Sequence, residues 1–351
     1  MISVCMIVKN EEEILERCVN SLKGLYDELI IVDTGSTDRT VEIAKKLGAK
    51  VERFEWCDDF SAARNHSFSK ASGDWLVWVD ADDVLTPGDA EKLRRSIIKA
   101  DEQGLSGLKV KYCLEGDFEY YRLRAVKKSE GPLWKGRIHE DILFKGLTAN
   151  EESVVFHHKP KNRGLRNTER NLRILEKVIS EGAAEPRPMF YYAKELTYVG
   201  RLEEAINWFN NYLKVAYWKP EQQRAYYELA NCYYRLGRVG LAKKACFNAL
   251  SLDEDYVDPY VLLMIIAYNE QSWDRVVKWG SACINSREQP DVLFDERSHR
   301  SSKPNDYLSI AYYHLGMVDK ALEAVNNALS FNPIDERLLA NKKLFEEKVR
   351  L

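Results

Sequence analysis

The segment Trp75–Val79 constrains the fold more than any other feature. It is apolar at all five positions and runs directly into Asp80-Ala81-Asp82-Asp83. A short, unbroken apolar run that does not alternate with polar residues fits a strand covered on both faces. Similar runs occur at Ser3–Val8 and Leu29–Val32, and Val51–Phe54 reads as a further strand. Between them lie helical stripes: Ile14, Leu15, Cys18, Val19 and Leu22 in one, Val41, Ala44 and Leu47 in the next, the latter closed by Gly48. Thr86-Pro87 is predicted to open a further helix, Thr as cap and Pro at the first helical position. Strand–helix alternation of this kind predicts an α/β domain with an open, largely parallel sheet and flanking helices. Such sheets bind ligands outside the carboxyl ends of their strands. The first candidates are therefore Val8-Lys9-Asn10-Glu11, Asp33-Thr34-Gly35-Ser36 and Asp80-Ala81-Asp82.

The second half differs. From about Glu185, Tyr, Ala, Leu and Trp recur at helical spacing with little strand signal. Four segments align on the turn residues Gly200, Gly237, Ser272 and Gly316, spaced 37, 35 and 44 apart. Ala205, Ala242, Val277 and Ala321 lie five residues after them. A period of about 34 with helix, turn and helix resembles tetratricopeptide repeats. The long third interval carries a polar insertion near Arg287–Lys303. The predicted organisation is a catalytic domain at 1–160, a helical linker at 161–185 and all-α repeats at 186–351. Some of Tyr191, Tyr192, Trp208, Tyr226, Tyr227 and Tyr233 are expected to line a groove or a homodimer interface, where aromatics are favoured.

Composition removes several classes. A formal net charge of -3 argues against a general nucleic-acid or anionic-membrane binder. The longest apolar run, Tyr260–Tyr268, is about half the roughly 20 residues of a membrane span. The N-terminus turns acidic without a basic start, unlike a signal peptide. The seven cysteines are scattered with no Cys-x-x-Cys pair, which suits a reducing compartment. The expectation is a cytoplasmic protein. Gly-x-Gly phosphate loops and Ser/His/Asp triad signatures are absent from the sequence, against dehydrogenases, P-loop enzymes and hydrolases.

Three carboxylates in four residues, Asp80, Asp82 and Asp83, repel one another and attract a hard divalent cation, Mg2+ or Mn2+. Gly35 permits a sharp turn, and Ser36 or Thr37 caps the following helix. That capping role leaves Asp33 unexplained.

MIVKNEE, IIVDTGSTDRT, FSAARN and WVDADD, in that order, resemble the family-two glycosyltransferases of the GT-A fold. The resemblance covers roughly residues 1–160. It implies that Val8–Glu11 and Asp33, with Gly35 and Ser36, hold the nucleobase. It places Arg64 at base and diphosphate, Asp80 at the ribose, and Asp82 on the metal, with Ala81 between them. In Trp134–Asp141 the His139-Glu140 pair resembles the segment preceding the repeats in repeat-bearing members. The general base is Glu140 by preference and Asp141 by alternative, a surface salt-bridge turn being the non-catalytic reading. His139 is placed with the donor. Arg124 is the expected diphosphate contact. His158, chosen over His157, is expected to complete the metal shell, although Lys159-Pro160 departs from the aromatic-Gly usual in the family.

The resemblance implies an inverting, metal-dependent transferase using a nucleotide-diphosphate sugar, with uridine favoured because uracil N3–H donates to a carboxylate. Repeats fused to such a domain resemble enzymes that glycosylate the Cys or Ser of peptides, so a peptide or protein acceptor is the first choice. A lipopolysaccharide core or lipid-linked glycan is the second. A non-catalytic repeat scaffold is the rival of another class, and the intact Asp-x-Asp argues against it.

Overall fold

The computed structural model describes residues 1–114, 118–160, 168–182, 185–287 and 297–349. The chain divides into two compact units, Met1–Ala183 and Ala184–Leu351.

The first unit runs β1 (Ile2–Val8), α1 (Leu15–Ser21), β2 (Glu28–Asp33), α2 (Thr40–Lys46), β3 (Lys50–Arg53), α3 (Phe60–Lys70), β4 (Trp75–Trp78), β5 (Asp83–Leu85) and α4 (Asp89–Glu102). It continues with β6 (Gly107–Leu114), β7 (Phe118–Lys127), β8 (Leu133–Lys135), β9 (Asp141–Leu143), β10 (Thr148–His158) and α5 (Thr168–Ser180). Eight strands form one sheet in the order β3-β2-β1-β4-β7-β6-β10-β5, and β8-β9 form a separate hairpin. The β3-β2-β1-β4 half is wholly parallel. In the other half β7 runs antiparallel to both β4 and β6, and β5 antiparallel to β10. The expected largely parallel sheet is therefore mixed.

Alternation along each strand sends neighbouring residues to opposite faces. Val4, Met6, Ile31 and Val77 pack with Leu15, Cys18 and Val19 of α1 and Leu93 and Ile97 of α4. Cys5, Ile30, Val32, Leu76 and Trp78 pack on the other face with Phe68 of α3 and with Trp134 and Ile142 of the hairpin. This two-sided burial is why the strands are apolar throughout. At the amino ends, buried Glu28 collects Ser3 Oγ, Ser72 N, Ser72 Oγ and Lys50 Nζ. Helix α4 starts at Asp89, after Gly88 at φ +86, rather than at Pro87. Residues 83–85 before it are drawn into the sheet as β5, and Thr86 instead bonds to the Asp89 carboxylate.

The second unit is all helical: α6 (Arg187–Tyr198), α7 (Leu202–Val215), α8 (Lys219–Arg235), α9 (Val239–Leu252), α10 (Val257–Asn269), α11 (Trp273–Asn285), α12 (Ser302–His314), α13 (Val318–Phe331) and α14 (Glu336–Val349). The first eight are four helix–turn–helix pairs. Left-handed residues mark the turns at Gly200, Gly237 and Gly316, but the third is Gln271 (φ 53), one residue before the expected Ser272. The packing register shifts with it. Ala205, Ala242, Val276 and Ala321 are each fully buried and each five residues past the left-handed turn, so Val276 rather than Val277 is the equivalent residue. Of the singled-out aromatics, Tyr191 and Tyr192 are buried, and Trp208, Tyr226, Tyr227 and Tyr233 are half-buried. Part of the insertion at 287–303 lies outside the described residues. No helix among the described residues is long and apolar enough to cross a membrane.

Candidate active site

A cavity of about 750 Å³ opens along the carboxyl edge of the sheet. It is walled by Val8–Glu11 from β1, Thr34 from β2, Trp56 and Phe60 after β3, Arg64 from α3, Asp80–Asp82 after β4, Tyr112 from β6, His158 from β10, and Arg170 from α5.

The loops after β1 and β2 hold each other. Asn10, at φ 57, accepts from Thr37 N at 2.8 Å on its side-chain oxygen and donates from its own backbone amide to Ser36 Oγ at 2.9 Å. Glu11 N donates to Thr40 Oγ1 at 2.7 Å. Asp33 is buried, and its carboxylate accepts from Gly35 N at 3.2 Å and Ser36 N at 3.1 Å. Its polar demand is met within its own turn. Thr34, rather than Asp33, Gly35 or Ser36, lines the cavity.

Beyond β4 the turn is closed by its own backbone: Asp83 N donates to Asp80 O at 3.0 Å, and Asp80 N to Asp83 Oδ2 at 3.1 Å. The pairing of β10 with β5 sets His158 opposite Asp83 and His157 opposite Val84. Strand alternation then selects His158 for the cluster and turns His157 to the other face. Ligand atoms of Asp82, Asp83 and His158 lie within 4.8 Å of one another. His158 Nδ1 is 3.5 Å from Asp82 Oδ2 and 3.0 Å from the Tyr112 hydroxyl. Lys159 N donates to Asp82 O at 2.7 Å, fixing the end of β10 on this turn.

This donor set fits a divalent cation. Burial, reinforced by the negative charges of Asp80 and Asp83, pushes the Asp82 carboxyl up to about 7. One buried oxygen of Asp83, Oδ1, has no hydrogen-bond partner. A cation satisfies both features, because oxygen-rich sites with an imidazole accept Mg2+ or Mn2+. Asp80 goes the other way. Burial raises its carboxyl, but the guanidiniums of Arg64, Arg124 and Arg122 outweigh burial and hold it low and ionised.

Arg64 is the hub. It is buried, donating from Nε to Glu140 Oε1 at 2.6 Å and from an Nη to Asp80 Oδ1 at 2.8 Å. Its guanidinium lies 4.9 Å from the Trp78 ring and 4.8 Å from the Trp134 ring. The loop bearing Glu140 is tied to α3 by Phe60 N donating to Arg137 O and by Ser61 Oγ donating to Gly136 O. Glu140 thus faces inward, whereas Asp141 is exposed at the start of β9 and accepts from its neighbour Ile142 N. His139, immediately before Glu140, is at φ 52 and does not line the cavity.

Arg124 is behind the cavity, not in it. It is fully buried, pairs with fully buried Asp83 at 2.8 Å, and stacks 3.9 Å from the Trp78 ring. Sequence reasoning gave it to the diphosphate and missed Asp83 as its partner. It also missed Trp56, Phe60 and Arg170. Phe60 stands one helical turn before Arg64, a spacing that placed it on the same face. Arg170 had no comparable signal.

The glycosyl transferase family 2 model matches residues 3–167. Those residues, just under half of the chain, are thus similar to the family-two glycosyltransferases. A TPR repeat-containing protein of Synechococcus elongatus is 36% identical over 151 residues, 43% of this chain and 37% of the relative. The SPbeta prophage-derived glycosyltransferase SunS of Bacillus subtilis is 27% identical over 224 residues, 60% of this chain and 53% of that protein. An uncharacterized glycosyltransferase of Rickettsia typhi is 44% identical over 85 residues, 24% of this chain and 29% of the relative. The chain thus spans about half or less of these relatives. Within the matched residues the signature segments occupy the carboxyl edge of the sheet, and the cavity lies among them.

Proposed function

We propose that this chain is a metal-dependent, inverting glycosyltransferase that moves a sugar from a nucleotide-diphosphate sugar, a uridine one, to a peptide side chain (Cys or Ser/Thr). One observation carries the reading. A cation-ready cluster, Asp82, Asp83 and His158, lies beside an Arg64–Glu140–Asp80 network, and Asp82 and His158 of the one and Arg64 and Asp80 of the other line a single cavity, with Glu140 behind Arg64.

Asp82 and His158, with Asp83 behind, would hold a divalent cation, which would neutralise charge on the departing diphosphate. Asp80, kept ionised by arginines, accepts a ribose hydroxyl. Arg64 holds Glu140 by one oxygen, which fixes the carboxylate's direction and leaves Oε2 to take the acceptor's proton. The aromatic floor of Trp78 and Trp134 keeps this network dry, which strengthens each charged contact. The peptide acceptor rests on the repeat unit, since stacked helix pairs present extended surfaces that bind extended chains. A lipid-linked glycan acceptor is the alternative outcome of the same assay.

The test offers UDP-sugars with MnCl2 to the full chain and follows UDP release with and without host peptides. Asp82→Asn is expected to lower turnover by orders of magnitude while the melting temperature is retained. Full activity in that variant, or in excess EDTA, refutes the metal assignment. Absence of release from any nucleotide sugar refutes the enzyme.

A further inference from the structure

Trp56, Phe60 and Arg170 are cavity-lining residues with no assigned role; Trp56 and Arg170 come from outside the four signature segments, and Phe60 opens the third of them. Trp56 and Phe60 meet edge-to-face with ring centroids 4.8 Å apart. The Arg170 guanidinium lies 5.0 Å from the centre of the Phe60 ring. Trp56 Nε1 donates to Asp58 Oδ1 at 2.9 Å, and the same oxygen accepts from Arg173 at 2.8 Å. Helix α5 therefore locks the loop after β3 at two points, and the indole is held by its polar edge while its ring surface lines the cavity.

We propose that Trp56, Phe60 and Arg170 form the nucleobase end of the donor site and select a base with carbonyl oxygens on its edge. The inference rests on the proposed use of the cavity for a nucleotide sugar. The cation cluster fixes the diphosphate beside β4 and β10. On the β10 side the cavity is lined by Tyr112 and His158, bonded to each other. The nucleoside then extends towards the edge formed by β1, β2 and β3, where the Trp56–Phe60 wall stands after β3. There the expected reader, Asp33, is turned into its own loop. Flat aromatic rings take the face of any base. A guanidinium has donors only, so at the exocyclic edge it favours the O4 carbonyl of uracil, an acceptor, over the N4 amine of cytosine and the N6 amine of adenine, which are themselves donors.

Calorimetry of the full chain in MnCl2 with UDP, CDP and ADP tests this. The wild type is expected to bind UDP in preference to CDP and ADP. Trp56→Ala should weaken UDP by roughly 5- to 150-fold, the range for loss of one base–aromatic stack. Trp56→Phe should restore most of that affinity, which a variant failing for structural reasons would not explain. Arg170→Gln should bring UDP and CDP affinities together. UDP affinity within twofold of wild type in both Trp56→Ala and Arg170→Gln overturns the assignment. So does a loss of peptide transfer at unchanged UDP affinity, which gives the wall to the acceptor instead. A wild-type chain that binds none of the three nucleotides refutes the glycosyltransferase reading itself.

Discussion

Arg124→Met separates a structural role for this arginine from the diphosphate contact expected of it. The Arg124–Asp83 pair is fully buried on both sides at 2.8 Å. Removing one partner of such a pair leaves the other charge uncompensated in the interior, at about 3–5 kcal/mol. Asp83 also accepts the Asp80 amide, so the turn bearing the acidic cluster loses its clamp. Methionine keeps the length and retains a sulfur contact to the Trp78 ring, which limits the cavity term. At about 2–4 °C per kcal/mol for a unit of this size, the first unit should melt about 6–20 °C lower. The double variant Arg124→Met/Asp83→Asn removes both charges and should recover at least half of that loss. The assay is thermal unfolding in EDTA, followed by the fluorescence of tryptophans such as Trp78 and Trp134 that pack in the first unit. A loss below about 1 kcal/mol for Arg124→Met, or a double variant worse than the sum of the singles, refutes the counter-ion account. Unchanged stability with UDP affinity lost would return Arg124 to the diphosphate.

Glu140→Gln should lower sugar transfer by about 10²–10⁴-fold while UDP binding persists, and Asp141→Asn should leave turnover near wild type; the reverse pattern in steady-state kinetics makes Asp141 the base. Burial raises the Glu28 carboxyl, but hydrogen bonds from Lys50, Ser3 and Ser72 outweigh it and hold it down at about 2. A depressed carboxyl stabilises fully above its unfolded value of about 4.3 and ceases to as pH falls through 2. The stability gap between wild type and Glu28→Gln should therefore be constant above pH 5 and shrink from pH 4 to 2 in urea titrations, and a gap that grows on acidification contradicts this. A chain ending at Gly182 should bind UDP yet fail to modify the acceptor peptide; wild-type transfer by that chain removes the repeats from recognition.

The carboxyl edge was legible because burial on both faces forces apolar strands, and their ends are then the first places polar residues appear. The Asp80–Asp82 turn, Arg64 and His158 follow from that rule and from the resemblance. What stayed hidden depends on contacts between distant segments or on backbone conformation. Asp33 spends its carboxylate on amides two and three residues ahead, a matter of local angles rather than residue type. Gln271 adopts the left-handed turn that the other pairs give to glycine, so composition pointed to the neighbouring Ser272. Glu140 and Asp141 are equivalent carboxylates in sequence, and only the ties of their loop to α3 distinguish them. Arg170 reaches the cavity from 106 positions beyond Arg64, in a segment read as a linker.

The contacts of α5 determine where this molecule is separable. Arg170 on Phe60 and Arg173 on Asp58 make α5 part of the wall of the cavity, although the helix begins where the recognisable signature ends. A chimera that grafts foreign repeats at residue 160 would discard that wall together with the linker. A graft placed after Gly182 keeps α5 and carries the cavity over whole. Modularity here is offset from the signature segments by one helix, and exchange of the repeats between such proteins has its natural joint at the far end of α5.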